Sequence, residues 1–288
     1  MPIEVRRVFR VFPHALLACV LALPLASAAH PDLDEQLSEI STRLAGDPCD
    51  AALHLRRGEL HRVRREWARA VAAYDRAAEC NPSLDTVDVA RGELYLDSGS
   101  PIAAKTFFDR FLAKHPDAPA ALIGRARCLA RLGRADDAAT DFNRALPLLP
   151  TAKPDVYLER AQAQIAAGRD DAALRGLEDG VARLGLVPAL ERLAIDLELK
   201  HHQYDAALKR LDELASQLPN RETWLLRRAE VLEMAGRPRE AFVAYDDALA
   251  AIVARPPHRR TTTAMRQLEQ QAKTAAGRLA AVSSGGRP

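Results

Sequence analysis

Residues 119–150 read PAALIGRARCLARLGRADDAATDFNRALPLLP, and the same spacing of small and large side chains recurs along most of the chain. Within this stretch Gly133 lies five residues before Ala138, and Phe142 lies four residues after it. Alanine recurs at intervals of 34, 34, 35, 34 and 34 residues, at Ala70, Ala104, Ala138, Ala173, Ala207 and Ala241. A fixed period of this length indicates stacked supersecondary units rather than one globular core.

Setting each repeated alanine at position 20 divides the chain into six units of 34 residues, with Lys153 as one extra residue after the third. The units are 51–84, 85–118, 119–152, 154–187, 188–221 and 222–255. A large side chain occupies position 24 in every unit: Tyr74, Phe108, Phe142, Leu177, Leu211 and Tyr245.

Three further positions give the repeat a physical meaning. Small residues at positions 8 and 20 let two helices approach closely, and the large residue at position 24 fills the space beside them. Glycine at position 15 accepts the left-handed conformation that ends one helix, and proline at position 32 ends the next. Position 8 carries Gly58, Gly92, Ala126, Ala161, Ile195 and Ala229. Position 15 carries Gly99, Gly133, Gly168 and Gly236, and position 32 carries Pro82, Pro116, Pro150 and Pro219.

At these positions the chain resembles the tetratricopeptide repeat family over residues 51–255. The resemblance implies an all-α, right-handed solenoid of about six helix-turn-helix repeats with capping helices at both ends. The fifth unit departs most, because Ile195 replaces the small residue and His202 replaces the turn glycine. A helical hairpin is still expected there, since Ala207 and Leu211 keep the register.

Both ends of the repeat region predict capping helices. Residues 32–46 place leucine and isoleucine on one helix face, and we assign 29–50 as an N-terminal cap. Residues 261–281 show a second amphipathic pattern within a C-terminal cap at 256–282. Residues 283–288 are small and polar, and they predict a disordered tail.

Residues 1–28 predict a cleavable signal peptide. A basic segment around Arg7 precedes an apolar run at 15–26, which is shorter than the roughly 20 residues that span a bilayer. Residues 26–28 (Ala-Ser-Ala) have the form at which signal peptidases cleave. Cleavage near Ala28 implies export, and the periplasm of a Gram-negative bacterium is the expected compartment.

Two alternatives keep the chain at a membrane. Residues 16–19 (Leu-Leu-Ala-Cys) also look like a lipoprotein cleavage box, in which Cys19 would carry lipid. The apolar run at 15–26 could instead be retained as an anchor. Membrane contact is expected only in these two cases.

The charge balance argues against nucleic acid as a partner. The chain has 41 basic and 39 acidic residues, and removing residues 1–28 takes away three arginines and one glutamate, which leaves 38 of each. A neutral chain lacks the broad positive field on which binding to nucleic acid or anionic lipid relies.

The sequence carries no recognisable catalytic or metal motif. The H-E-x-x-H, G-x-S-x-G, phosphate-loop and paired C-x-x-C patterns are missing from it. His54 and His61 share a helix face, but with no third ligand nearby a solvated basic face explains them better than a metal site. No catalytic residue, metal or small-molecule cofactor is therefore expected, and the protein is predicted not to be an enzyme.

Three cysteines follow the predicted signal peptide. Cys49 precedes the first helix of the first unit and Cys80 ends its second helix, so the two are neighbours in an antiparallel hairpin and a disulfide is geometrically possible. Cys128 lies at a position that is normally small and buried, which predicts an inert core thiol.

Arginine recurs at position 7, where the family pattern has leucine. One hypothesis is an anion-binding ladder, and the other is a set of partly buried ion pairs within each hairpin. The arginines are Arg57, Arg91, Arg125, Arg160 and Arg228. The candidate acidic partners on the second helices are Asp75, Asp109, Asp141 and Asp246.

The family resemblance also implies a binding groove. In such proteins the first helices line a concave surface along which peptides lie, and positions 2, 5, 9, 12 and 13 of the first helix face it. Apolar residues prevail at position 5 and charges of both signs at position 9, which suits an extended or helical protein segment. The implied groove residues are Leu55, Glu59, Arg62, Val89, Glu93, Ile123, Arg127, Leu158, Gln162, Arg192, Asp196, Leu226 and Glu230.

The sequence thus predicts a non-enzymatic scaffold or adaptor of the bacterial envelope that binds a protein or peptide partner. One alternative is a lipid-anchored component of envelope or outer-membrane assembly, which would require a modified Cys19. Another is a regulatory subunit of a secreted or membrane hydrolase, which would co-purify with an active enzyme.

Overall fold

The computed structural model describes residues 31–284, which contain fifteen α-helices and no β-strand. The chain divides into two compact units, residues 1–48 and 49–288, which are described separately. Residues 1–28, where the signal peptide is predicted, lie outside the described part.

The described part of the first unit is a single helix, α1 (Pro31–Gly46). It covers the segment that the sequence predicts as an N-terminal cap helix. Asp32 and Asp34 lie in its first turn, where they interact favourably with the positive end of the helix dipole.

The second unit is built of helical hairpins that match the 34-residue period. The first helices are α2 (Ala51–Val63), α4 (Thr86–Asp97), α6 (Pro119–Arg131), α8 (Pro154–Ala166), α10 (Pro188–Lys200) and α12 (Arg221–Met234). The second helices are α3 (Trp67–Cys80), α5 (Pro101–Lys114), α7 (Ala135–Ala145), α9 (Asp170–Leu184), α11 (Tyr204–Gln217) and α13 (Pro238–Val253). Each helix packs on the next along the chain, which confirms the predicted all-α solenoid of helix-turn-helix repeats.

The repeated small and large residues form the core of every hairpin. The six alanines at position 20 are fully buried, and the large residues at position 24 are at most 3% exposed. An added Cβ at Gly58 would lie 2.3 Å from Cε1 of Tyr74, and one at Gly92 would lie 2.8 Å from the Phe108 ring. The aromatic ring therefore packs directly against the backbone of the first helix, as the pattern predicts.

The turn inside each hairpin uses a left-handed residue at position 15. Gly99, Gly133, Gly168 and Gly236 have positive φ angles, as expected from the sequence. Arg65 (φ 59°) and His202 (φ 57°) adopt the same conformation in the first and fifth hairpins, although neither is glycine. The hairpin geometry thus imposes this conformation even where the side chain disfavours it.

The connection between the third and fourth hairpins is longer than the others. After α7 ends at Ala145, a 3-10 turn spans Leu146–Leu148. The extra residue Lys153 lies directly before α8 in an extended conformation. The insertion therefore falls between hairpins and leaves the helices on either side in register.

A C-terminal cap follows α13. A short helix, α14 (Pro257–Arg260), leads into α15 (Thr263–Ser284), which packs on α13. Ala272 and Leu279 of α15 are buried, and its exposed side is polar. The helix continues two residues into the predicted disordered tail, and residues 285–288 lie outside the described part.

A disulfide closes the first hairpin. Cys49 and Cys80 are bonded, with their Cα atoms 5.2 Å apart. The bond joins the residue that precedes the capping residue Asp50 of α2 to the last residue of α3. Cys128 is a free thiol that is fully buried, and burial raises its pKa to about 11. Such a thiol is unreactive at neutral pH.

Two position-7 arginines bind carboxylates of the preceding hairpin, so the expectation of pairs within one hairpin is wrong for them. Arg91 pairs with Asp75 of α3. Arg228 Nε donates to Asp212 of α11 at 2.6 Å. The physical reason is that the second helix of one unit packs against the first helix of the next. A long arginine side chain can reach across this contact from one helix to the other.

The position-7 arginines of the third and fourth hairpins, Arg125 and Arg160, differ from this pattern. Arg125 binds Asp141 of its own hairpin at 2.6 Å and Asp109 of the preceding one at 3.1 Å. Arg160 is buried and donates to the Gly176 carbonyl oxygen, and burial lowers its pKa. These contacts favour structural ion pairs over an anion-binding ladder.

Replacing Ala138 with leucine is expected to lower the free energy of unfolding by about 1–3 kcal/mol, because the fully buried alanine lies where the helices touch. Urea titration of the variant would measure the loss. Ala72→Leu, at an exposed site on α3, is the matched control and should change stability by less than about 0.5 kcal/mol. Equal effects at the two sites would contradict the proposed register.

Candidate functional site

The predicted groove residues all lie on first helices. We call the surface that these helices line the first-helix face. Two clefts on this face bring together six of the thirteen residues.

The first of these, the central cleft, lies between α4, α6 and α8 and has a volume of about 710 Å³. Arg127 and Gln162 are the predicted groove residues in its wall. Nε of Arg127 donates to Glu159 at 2.8 Å across the cleft. Its other lining residues include Leu96, Asp97, Ala130, Arg131, Phe142, Ala163 and Ala166.

The second, the C-terminal cleft, has a volume of about 330 Å³ and contains all four groove residues predicted for the last two units. These four are Arg192, Asp196, Leu226 and Glu230. Its remaining lining residues include Ile195, Leu211, Trp224, Leu268 and Gln271. A further cleft of about 820 Å³ between α12 and α15 shares Arg227, Glu230 and Gln271 with it. The first-helix face is therefore indented continuously at its C-terminal end.

The apolar residues predicted at position 5 contribute less surface than the pattern suggests. Ile123 and Leu226 are buried, and Leu55, Val89 and Leu158 pack partly against the core. Position 5 lies where neighbouring helices meet, so most of its side-chain area is used in packing. Most of the position-5 side chains therefore pack beneath the first-helix face and expose little area on it.

Ion pairs link successive first helices along the N-terminal half of the face. Arg62 binds Glu93 at 3.0 Å and also pairs with Asp97. Burial raises the pKa of Glu93. Glu59 pairs with Arg56 on its own helix at 3.0 Å. These predicted groove residues therefore have partners within the protein, and they help to fix the spacing of the first two hairpins.

Two arginines that line these two clefts have no carboxylate partner among residues 31–284. Arg131 of the central cleft donates to the carbonyl oxygen of Leu96. Arg192 of the C-terminal cleft is exposed and belongs to none of the ion pairs in the described part of the chain. The carboxylates in both clefts, by contrast, have arginine partners. The central cleft therefore keeps one arginine without a carboxylate partner, whereas in the C-terminal cleft Arg192 and Arg227 together balance Asp196 and Glu230.

Sequence reasoning missed Trp224, Leu268 and Gln271 as lining residues. Trp224 lies at position 3 of the sixth unit, which is not one of the positions that predict the groove. Leu268 and Gln271 belong to α15, which lies outside the repeats. The amphipathic pattern of α15 indicated a cap but could not show that the cap forms a wall of a cleft.

A cluster of three carboxylates around Arg210 joins α9, α10 and α11, and two of them, Glu191 and Glu198, are buried. Arg210 donates to Glu198 at 2.7 Å and to Glu191 and Glu178 at 2.9 Å each. Glu198 is 2% exposed, and its second carboxylate oxygen has no hydrogen-bond partner. Burial raises the pKa of Glu198, and the hydrogen bond from Arg210 offsets this only in part.

The raised pKa of Glu198 predicts a pH dependence. Because the folded state favours protonated Glu198, protonation of this carboxylate should stabilise the protein increasingly as the pH falls through the pKa of the folded state. The effect should be complete below the ordinary pKa of 4.5. Urea titrations of the wild type and Glu198→Gln at pH 7 and pH 5 would measure it. The variant should gain stability at pH 7 relative to the wild type, and the gain should shrink at pH 5. A gain that grows at pH 5, or one reproduced by Glu213→Gln on the exposed side of α11, would contradict this.

The two histidines considered as metal ligands each have another partner. His54 Nδ1 lies 3.0 Å from Nη2 of Arg57, and His61 Nδ1 lies 2.6 Å from the Glu66 carboxylate. No group of three or more metal-binding side chains occurs among residues 31–284. Within the same residues, no helix has the length and hydrophobicity needed to cross a bilayer.

The repeated hairpins agree with a family match in the sequence. Residues 39–85, 89–155 and 192–257 match the tetratricopeptide repeat family. The chain belongs to the tetratricopeptide repeat family. Apart from a few residues, the matched stretches include the first three and the last two hairpins and leave out most of the fourth.

Solved structures with low sequence identity share the fold. PilW, a type IV pilus biogenesis factor, aligns with a TM-score of 0.57 at 20% identity, covering 65% of this chain and 87% of PilW. A tetratricopeptide repeat protein from Parabacteroides merdae aligns with a TM-score of 0.52 at 16% identity, covering 84% and 93%. Pseudomonas aeruginosa pilF aligns with a TM-score of 0.51 at 15% identity, covering 84% and 99%. No curated protein sequence matches the chain significantly. The family and fold are those of protein-interaction scaffolds.

Proposed function

We propose that this tetratricopeptide repeat protein is a non-enzymatic adaptor of the bacterial envelope, which binds a segment of a partner protein on its first-helix face. The observation that carries the proposal is the C-terminal cleft, where four groove residues from two successive hairpins surround an apolar floor. An apolar centre with a polar rim is the usual composition of a site for protein segments.

The disulfide supports the export part of this proposal. Bonds of this kind persist in oxidising compartments such as the periplasm and are rare in the cytosol. Cys49 and Cys80 form one in the first hairpin, and the sequence at 1–28 predicts a signal peptide. Both observations are consistent with a protein that works outside the cytoplasm.

Site-specific crosslinking in a Gram-negative host tests the proposal. A photo-reactive amino acid would replace Asp196 in the C-terminal cleft or Gln162 in the central cleft of the full-length chain. Glu213, exposed on the second helix α11, is the matched control position. We expect crosslinks to one envelope protein from the cleft positions and none from the control. Equal crosslinking from all three positions would reject the first-helix face as the binding surface.

The N-terminus of the mature protein tests the compartment. Intact-mass analysis of protein purified from the periplasm should give a chain that begins after Ala28. A chain that begins with lipid-modified Cys19 would support the lipid-anchored alternative instead.

A further inference from the structure

Positive charge is concentrated after the last hairpin. Residues 248–268, which span the end of α13, the whole of α14 and the start of α15, contain four arginines, one histidine and no aspartate or glutamate. The chain without residues 1–28 is neutral as a whole, so this charge is a local feature. The four arginines are Arg255, Arg259, Arg260 and Arg266.

The fold of the last hairpin brings a fifth arginine to the same edge. In an antiparallel hairpin the first helix begins where the second one ends, so Arg221 at the start of α12 lies near the residues that follow α13. A direct contact fixes this arrangement. The Arg255 guanidinium donates to both carboxylate oxygens of Glu222, at 2.6 and 2.8 Å, and to the Pro219 carbonyl oxygen at 2.7 Å. Arg266 lies in the first turn of α15, which packs on α14.

One carboxylate at this edge offsets one of the five positive charges. Glu222 is 2% exposed and is held by Arg255, so these two charges cancel. The other four side chains are exposed or partly exposed, and they have no ion pair or side-chain hydrogen bond with any residue in 31–284. We call these four arginines the basic edge: Arg221, Arg259, Arg260 and Arg266.

The acidic residues that flank the run do not neutralise the basic edge. Asp246 and Asp247 lie six or seven residues before the end of α13. This spacing is about 9 Å or more along the helix axis, where surface charges are largely screened at physiological salt. Glu269, the first acidic residue after the run, pairs with Lys273 on its own helix. Four positive charges therefore remain uncompensated at the basic edge.

The surroundings of the basic edge indicate what kind of partner it fits. None of its four arginines lines the clefts described above, so the edge offers no pocket that could enclose a side chain. Val253, the last residue of α13, is 61% exposed, and Pro256 and Pro257 beside it are exposed as well. Unpaired arginines around an exposed apolar side chain, without a pocket, suit an extended surface of phosphate groups above an apolar layer.

We propose that the basic edge and Val253 bind an anionic phospholipid membrane. The guanidinium groups pair with lipid phosphates, and Val253 enters the boundary between head groups and acyl chains. Each arginine near an anionic surface contributes roughly fivefold to the affinity. Four of them give reversible contact rather than permanent anchoring. The proposal goes beyond the proposed function, because none of the predicted groove residues belongs to the basic edge.

Vesicle flotation tests the proposal. The oxidised chain without residues 1–28 is used, so that the apolar run at 15–26 cannot insert into the vesicles. The contacts of the folded protein described above lie within residues 31–284 and stay intact. The probes are vesicles of phosphatidylcholine alone and vesicles of equal parts phosphatidylcholine and phosphatidylglycerol. We expect the protein to float with the mixed vesicles only, and to be released as sodium chloride is raised.

Charge reversal tests the role of the basic edge. Arg259→Glu combined with Arg260→Glu should weaken binding to the mixed vesicles about tenfold or more, because two attractive charges become repulsive. Arg175→Glu combined with Lys209→Glu is the matched control. Both control residues are exposed on second helices without an ion pair in residues 31–284, and the net charge changes equally. The control should weaken binding less than about threefold. Circular dichroism would verify that each variant is folded.

Serine substitution tests the apolar contact. Val253→Ser should weaken binding to the mixed vesicles about threefold without changing its salt dependence, because it removes apolar area and no charge. The matched control is Val243→Ser, ten residues earlier on α13, where the valine is 57% exposed. This control should bind as tightly as the wild type.

Three outcomes would overturn the proposal. The first is equal flotation with the two kinds of vesicle. The second is equal weakening by the two charge reversals, which would assign binding to net charge instead of the basic edge. The third is binding of a capped oligoglutamate peptide without flotation on the mixed vesicles, which would assign the edge to an acidic protein segment. The crosslinking experiment at the first-helix face is independent of all three and tests the proposed function separately.

Discussion

Replacing Phe108 with alanine is expected to lower the free energy of unfolding by about 3–5 kcal/mol. Phe108 is fully buried between the second and third hairpins. An added Cβ would lie 2.8 Å from its ring at Gly92 and 2.3 Å at Gly124. Because both of these neighbours are glycines, neither has a side chain that can move into the space that the ring leaves. The cavity should therefore persist, which places the loss in the upper part of this range.

Phe107→Ala is the matched control, since it removes the same side chain one residue earlier. Phe107 is half-buried, stacks on Tyr95 with ring centroids 5.3 Å apart, and lies under Arg110. Loss of this stack should cost about 0.5–1.5 kcal/mol. Chemical denaturation of both variants provides the measurement. Similar losses for the two variants would mean that position 24 does not hold the hairpins together.

Removing the disulfide is expected to lower the free energy of unfolding by about 2–4 kcal/mol, because the bond closes a long loop in the unfolded chain. Cys49 and Cys80 are 31 residues apart in sequence, and replacing both with serine avoids a new unpaired thiol. The first hairpin should loosen most, which hydrogen exchange on α2 and α3 would show.

Reductant provides the control for this prediction. The wild type and Cys128→Ala should both lose stability when reduced, whereas the double serine variant should not respond. Thiol titration of the oxidised protein without residues 1–28 should find no reactive thiol in the native state and only Cys128 after unfolding, because this thiol is fully buried. Two reactive thiols at the other sites in the native protein would show that the bond does not form.

The hairpins could be predicted because their cause is local and repeated. Alanine at position 20 and a large residue at position 24 recur in phase, and a helical period fixes where they meet. The structure buries all of them. Even the fifth hairpin forms as predicted, although His202 replaces the turn glycine. The closed turn holds His202 in the left-handed region. Agreement with the repeat pattern at several positions therefore predicts the hairpin correctly even where one residue is unfavourable.

The site could be predicted only in part. All four groove residues of the last two hairpins line one cleft, whereas Ile123 is buried and Arg62 is paired with Glu93. A repeat position determines which way a side chain leaves its own helix. Whether that side chain reaches the surface or finds a partner depends on the neighbouring hairpin. The repeat pattern of a single unit carries no information about that contact.

By itself the sequence determined the helical hairpins, their number and register, and which small and large residues meet, because those contacts lie within one repeat. Only the tertiary structure decided that Arg91 and Arg228 bind the preceding hairpin, and that Arg131 donates to the carbonyl oxygen of Leu96. It also decided that α15 forms a wall beside Trp224. These features arise where separate hairpins meet, and their physical origin is the distance between side chains that lie far apart along the chain.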